Sequence, residues 1–151
     1  MSLNLARHFC DRADSFMRLM KLGADQEIIA QWLGRPLVEY EDGTALLAVH
    51  AGIALADAVL VSLTGKRSTA ENHEETIPTL KKMCGKHKRN ADGISHYEWL
   101  VQKKSYFAYG DRRVRSEDVV TARVHVERMA TWVYQTFPHL VERDNDANAA
   151  T

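Results

Sequence analysis

The chain has 151 residues, of which 45% are hydrophobic, and this suits one domain with a single buried core. The chain has 20 basic residues (lysine and arginine) and 20 acidic residues (aspartate and glutamate), so its net charge is zero. A general attraction to nucleic acid or membranes is therefore excluded, and binding to either would need a local patch of positive charge. Cys10 and Cys84 are too few for a disulfide framework and form no metal-type pair, which predicts a reducing, cytoplasmic location and no metal site.

The first predicted helix spans residues 3–22, where apolar residues recur at helical spacing, and Gly23 is expected to end it. The first ten residues lack the continuous apolar run of a signal peptide. A short helix capped by Asp25 is predicted next, and it ends before Pro36. The apolar stripe of the first helix consists of Phe9, Ala13, Phe16, Met17 and Met20.

The most apolar stretch, residues 44–63, is predicted to be the central helix of a bundle. It is long enough to span a membrane, but it contains His50 and Asp57. A helix buried within the protein is the preferred interpretation, because it does not place the Asp57 carboxylate in lipid. Its many alanines predict close packing on two or more sides. His50 and Asp57 lie two turns apart on one face. They either orient a catalytic group or bind a ligand, or each satisfies polar groups of the core or of a dimer interface.

The segment after the central helix carries two competing helix starts. Ser68 and Glu71 have the spacing of a capping box, which predicts a helix over residues 69–84. Pro78 falls inside that helix and should kink or restart it, with Thr76 as the new N-cap.

Two further helices complete the chain. Ser95 and Glu98 form a second capping box, and the helix that they open ends at Gly110. Ser116 opens the last helix, which ends near Pro138. The core stripe predicted for the last helix consists of Val119, Val126, Ala130, Val133 and Phe137.

These elements predict an all-α fold, an antiparallel up-down bundle of about five main helices. One domain covers residues 1–140, and a polar, disordered tail covers residues 141–151. Trp99 and Tyr106 fall on a face of their helix separate from its core stripe, which predicts contact with a second subunit.

Three segments together resemble a known family. HAGIALADAVLVSLTGKRS lies in the central helix and the loop after it, NHEETIPTLKKM follows, and LVQKKSYFAYGDRRV precedes the last helix. Over residues 44–137 this layout resembles the HEPN (higher eukaryotes and prokaryotes nucleotide-binding) domain. The resemblance implies a helical bundle that forms homodimers, needs no cofactor and is paired, in many members, with a small nucleotidyltransferase. Many such proteins are metal-independent ribonucleases or toxins.

The active site of that family is an arginine and, after four to six intervening residues, a histidine. At the matching junction this chain has Lys104 and Tyr109. Lysine holds phosphate without a planar fork, and tyrosine, with an ordinary pKa of about 10, is a poor general base. The resemblance therefore implies a non-catalytic module that binds RNA, a nucleotide or a partner protein, in a prokaryotic toxin–antitoxin or defence-type context. Its ligand site would comprise Lys104, Tyr109, Arg112 and Arg113.

Lys104 and Tyr109 are five positions apart, about 140° around a helix, so the predicted site needs a kink or a partner subunit. The alternative function is a metal-independent endoribonuclease. In it Arg67 and Lys104 hold the phosphate while His73 or His50 moves the proton, since Arg67 and His73, with five residues between them, have the permitted spacing. A third hypothesis is a structural dimerisation module. If a proton-accepting side chain and a cationic side chain lie within reach of one phosphate, the endoribonuclease hypothesis is favoured.

Overall fold

The structure, a computed structural model, describes residues 2–24, 41–69, 71–112 and 114–142. These ranges contain α-helices and two short 3₁₀ helices and no strand, so the all-α prediction is confirmed. The short helix predicted after Asp25 and most of the predicted tail lie outside the described residues. The helices are α1 (Ser2–Ala24), α2 (Glu41–Thr64), α3 (Thr76–Lys86), α4 (Ile94–Tyr109) and α5 (Ser116–Thr136), with 3₁₀ turns at His73–Glu75 and Pro138–Leu140.

Helix α2 is the centre of the bundle and packs against α1, α3, α4 and α5, as its small residues predict. Gly52 shows how closely the helices approach, because a Cβ atom there would lie 2.7 Å from Leu100 Cδ1 of α4. Among the described residues, Gly43–Thr64 is the one helix long and apolar enough to cross a membrane. Since 72% of its apolar window is buried within the bundle, it has the character of a core helix.

The capping box predicted at Ser68 is wrong. Ser68 Oγ hydrogen-bonds to Thr76 Oγ1 at 3.1 Å, and no helix begins there. Asn72 caps the first 3₁₀ turn instead, because its Oδ1 accepts a hydrogen bond from the backbone N–H of Glu74 at 3.0 Å. Helix α3 begins at Thr76, so the N-cap predicted at Thr76 is one residue from the N-cap in the structure, Glu75. Pro78 lies in the first turn, where a backbone N–H would have no partner in the helix.

The capping box predicted at Ser95 is also wrong. Helix α4 begins one residue earlier, at Ile94, with Gly93 at the N-cap, and Ser95 Oγ donates a hydrogen bond to the Asp92 carbonyl at 2.9 Å. Gly93 lies against the indole of Trp132, and a Cβ atom on Gly93 would overlap the ring of Trp132.

Helices α4 and α5 are joined by aromatic and polar contacts. Trp99 stacks on His125 with ring centroids 4.4 Å apart, and His125 Nδ1 hydrogen-bonds to His96 Nδ1 at 2.9 Å. Tyr106 donates a hydrogen bond from its hydroxyl to Asp118 Oδ2 at 3.1 Å. The side chains predicted to meet a second subunit therefore pack on α5 of the same chain, because α5 runs alongside this face of α4.

Replacing Gly93 with Ala should destabilise the fold by about 1–3 kcal/mol, because the new methyl group displaces the Trp132 ring. Gly85→Ala is the matched control. Gly85 lies in α3 with no atom within 4 Å of an added Cβ, so alanine should stabilise by up to about 1 kcal/mol. Urea unfolding of both variants measures the difference, and equal midpoints would contradict the close packing of Gly93.

Candidate functional site

Two adjoining cavities share the side chain of His73. The inner cleft, of about 180 Å³, lies between α1, α2 and the connection that follows α2. The outer cleft, of about 350 Å³, lies between α4 and the first 3₁₀ turn. The functional side chains of the inner cleft are Arg12, Phe16, His50, Asp57, Arg67 and His73. Those of the outer cleft are Glu71, Asn72, His73, Glu74, Lys104 and Tyr109.

Helix α2 presents His50 and Asp57 to the inner cleft, as their two-turn spacing predicts. The His50 ring packs against Phe16 of α1, with ring centroids 5.6 Å apart. Asp57 is only 7% exposed, and burial raises the pKa of its carboxyl group while the neighbouring Arg67 opposes that rise. The ionised carboxylate of Asp57 therefore depends on its cation.

Two guanidinium groups face this single carboxylate. Arg67 Nε lies 3.4 Å from Asp57 Oδ2, and the Arg67 guanidinium lies 5.5 Å from the centroid of the Phe9 ring. The Arg12 guanidinium lies 5.4 Å from the same ring. Two arginines and one aspartate leave the inner cleft with an excess of one positive charge when its histidines are neutral. Such a cleft attracts an anion.

Tyr97 of α4 fixes the position of His73. The Tyr97 side chain is 1% exposed, and its hydroxyl donates a hydrogen bond to the His73 carbonyl at 3.0 Å. The Asn72 cap holds the same turn from the preceding residue. The imidazole of His73 thus occupies the wall between the clefts because its backbone is bonded to a core residue.

The surroundings of His50 and His73 favour the neutral form of each imidazole. Burial lowers the pKa of each below its ordinary 6.5, and the positive charge of Lys104 lowers both further. The charge of Arg67, and that of His50 when it is protonated, also lower the pKa of His73, so all three groups lie close enough to act on His73. Each neutral imidazole can accept a proton at neutral pH.

Lys104 and Tyr109 line the same outer cleft within one chain, so the predicted need for a kink or a partner subunit is wrong. They flank a stripe formed by Val101 and Ser105, which is the floor of the cleft. Their angular separation of about 140° therefore places them on opposite sides of that floor. The facing wall comes from the 3₁₀ turn, which spacing within α4 alone could not reveal.

The remaining predicted residues lie elsewhere. Arg112 is exposed and lines neither cleft, and Arg113 lies outside the described residues.

Sequence reasoning did not identify Arg12 as a site residue. Its signal was present, because Arg12 follows Phe9 by three positions and Phe16 follows Arg12 by four, which places all three on one face of α1. In the described part of the chain, no group of three or more His, Cys, Asp or Glu side chains is arranged to hold a metal ion.

Searches against protein-family models, curated proteins and solved structures found no match for this chain.

The folded chain should lose stability as the pH falls below 6.5. Because the folded-state pKa of His50 and His73 lies below that of the unfolded chain, the unfolded chain binds more protons as acid is added. Their contribution is complete above pH 6.5 and is lost as the pH falls through the folded-state values. Urea unfolding on both sides of pH 6.5 should show a smaller acid-induced loss in the His50→Gln, His73→Gln double variant than in the wild type.

The exposed His87, beyond the end of α3, provides the matched control through His87→Asn. An acid-induced loss in the double variant as large as in the wild type would contradict the burial of these two imidazoles.

Proposed function

We propose that this chain is a binding module that recognises the phosphate of RNA or of a nucleotide at His73, between Arg67 of the inner cleft and Lys104 of the outer cleft. The observation that supports this proposal is the meeting of cations from three elements at one histidine. Arg67 and Lys104 both lower the pKa of His73, and Arg12 lines the inner cleft beside them. Arginine and lysine are the side chains that proteins use to hold phosphate.

The volumes of the two clefts indicate which part of a nucleotide each cleft would hold. Small-molecule sites usually measure about 300–1,000 Å³, so the inner cleft of about 180 Å³ suits a phosphate group and not a whole nucleotide. The outer cleft of about 350 Å³ lies within that range. A phosphate beside His73 would leave the rest of the nucleotide facing the outer cleft.

The resemblance to the HEPN family supports further proposals about the protein's context. These are a homodimer, a small nucleotidyltransferase partner and a cytoplasmic toxin–antitoxin or defence-type system. One structural feature supports the dimer. Val120 and Val124 lie one turn apart on α5 and are 58% and 36% exposed, so they give α5 an apolar outer surface.

A second candidate function, a metal-independent endoribonuclease, is favoured by a specific observation. His73 and His50 line one cleft in neutral form, beside the cations that would hold a phosphodiester. One imidazole could take the proton of a ribose 2′-hydroxyl, and protonated His or Lys104 could stabilise the developing charge. The binding module is preferred because Lys104 and Tyr109 replace the arginine and histidine of the HEPN motif.

Lys104→Ala should weaken the binding of a short fluorescent RNA about tenfold, because one charged phosphate contact contributes about 1.5 kcal/mol. Lys103→Ala is the matched control. Lys103 is the adjacent residue of α4, but its ammonium lies 5.9 Å from the Trp99 ring, away from both clefts. Fluorescence anisotropy should show wild-type affinity for the control variant. Equal affinities for all three proteins would contradict the phosphate site.

The purified protein should leave RNA intact in the presence of EDTA, because the HEPN motif positions lack the family's histidine. Gel analysis of a labelled RNA after prolonged incubation measures this. Cleavage in EDTA that disappears in both His73→Ala and His50→Ala would contradict the binding module and establish the second candidate. Cleavage that survives both substitutions would indicate a contaminating nuclease.

A further inference from the structure

The two clefts carry opposite charge. Arg12 and Arg67 outnumber Asp57 in the inner cleft, whereas Glu71 and Glu74 outnumber Lys104 in the outer cleft. A second phosphate would be repelled by the outer cleft. A ligand that matches the pair of clefts has an anionic end and, beside it, a neutral group rich in hydrogen-bond donors.

An accessible aromatic ring lines the outer cleft and could stack on a flat neutral group. Tyr109, the last residue of α4, is 83% exposed, so a ligand can reach the face of its ring. Val101 of the same helix is the apolar residue that lines the cleft with it. A base that stacks on an aromatic ring typically gains about 1–3 kcal/mol.

The polar groups facing the floor of the outer cleft are mainly hydrogen-bond acceptors. The carboxylates of Glu71 and Glu74 have no ion-pair partner within 4 Å in the described part of the chain. Asn72 and Ser105 lie in the same wall and floor. A carboxylate accepts a hydrogen bond from the exocyclic amino group of cytosine, whereas it repels the carbonyl oxygen that uracil carries at the same position.

We propose that the outer cleft is a base subsite that prefers cytosine to uracil. Tyr109 stacks on the base, and Glu71 or Glu74 accepts from its amino group. This inference rests on the proposed phosphate site at His73, which sets the end of the nucleotide that enters the outer cleft.

The test compares oligocytidylate with oligouridylate of equal length by fluorescence anisotropy. The wild type should bind the cytidine oligomer at least about fivefold more tightly, the lower end of one base contact. In the Glu71→Gln, Glu74→Gln double variant the ratio should fall towards one, with no loss of affinity for uridine. Glu75→Gln is the control, because Glu75 lies in the same 3₁₀ turn but lines a different cavity.

Variants of Tyr109 test the stacking. Tyr109→Ala should weaken binding of both oligomers about fivefold or more, while Tyr109→Phe, which keeps the ring, should bind like the wild type. The melting temperature should stay unchanged in each variant because these side chains are exposed. The same comparison with cytidine and uridine monophosphates distinguishes a free nucleotide from an RNA strand as the source of the base.

The outcomes separate this inference from the proposed function. Equal affinity for the two oligomers, or a preference that survives the double substitution, overturns the base subsite. If Lys104→Ala still weakens binding in that case, the phosphate site stands. Failure of both oligomers and both monophosphates to bind the wild type overturns the base subsite and the phosphate site together.

Discussion

The packing of α2 by four other helices is the constraint on which the rest of the structure depends. A helix enclosed in this way must be apolar nearly all round, and its alanines and Gly52 let the neighbouring backbones approach. Polar side chains on such a helix are costly unless they reach partners. Asp57 meets this condition through its ion pair with Arg67, and His50 is only partly buried and faces the inner cleft. The core helix α2 therefore lines the inner cleft of the candidate site.

The connection between α2 and α3 links the inner cleft to the outer cleft. Its first part is held by the ion pair between Arg67 and Asp57, and its last part by the hydrogen bond from Tyr97 to the His73 carbonyl. Both anchors, Asp57 and Tyr97, are buried. Since interiors are close-packed, a shift of the core would be transmitted to His73 and to the boundary between the two clefts. The geometry of the candidate site thus depends on the packing of the core.

Sequence patterns predicted the helices and the shared face of His50 and Asp57, because both follow from spacing within one helix. They failed at Ser68 and Ser95, where a capping-box spacing occurs but hydrogen bonds to Thr76 and Asp92 take its place. Nor does spacing within one segment reveal the contact between Gly93, at the start of α4, and Trp132 of α5.

The outer cleft was beyond sequence reasoning for a similar reason. Lys104 and Tyr109 were singled out, but the wall that faces them comes from a 3₁₀ turn about thirty residues earlier in the chain. A turn of three residues has no periodicity to detect. The sequence places Phe9, Arg12 and Phe16 on one face of α1, but the cleft that this face borders also needs α2 and the connection after it, which are distant in the chain.

The most direct test of the central claim, that one phosphate is held at His73, is an NMR titration of the His50 and His73 ring protons with and without a short RNA. In the free protein both histidines should titrate below pH 6.5. Bound phosphate should raise the pKa of both, because a nearby negative charge favours the protonated ring. Arg67→Ala should reduce that rise by weakening phosphate binding. Unchanged titration curves at saturating RNA would contradict the claim.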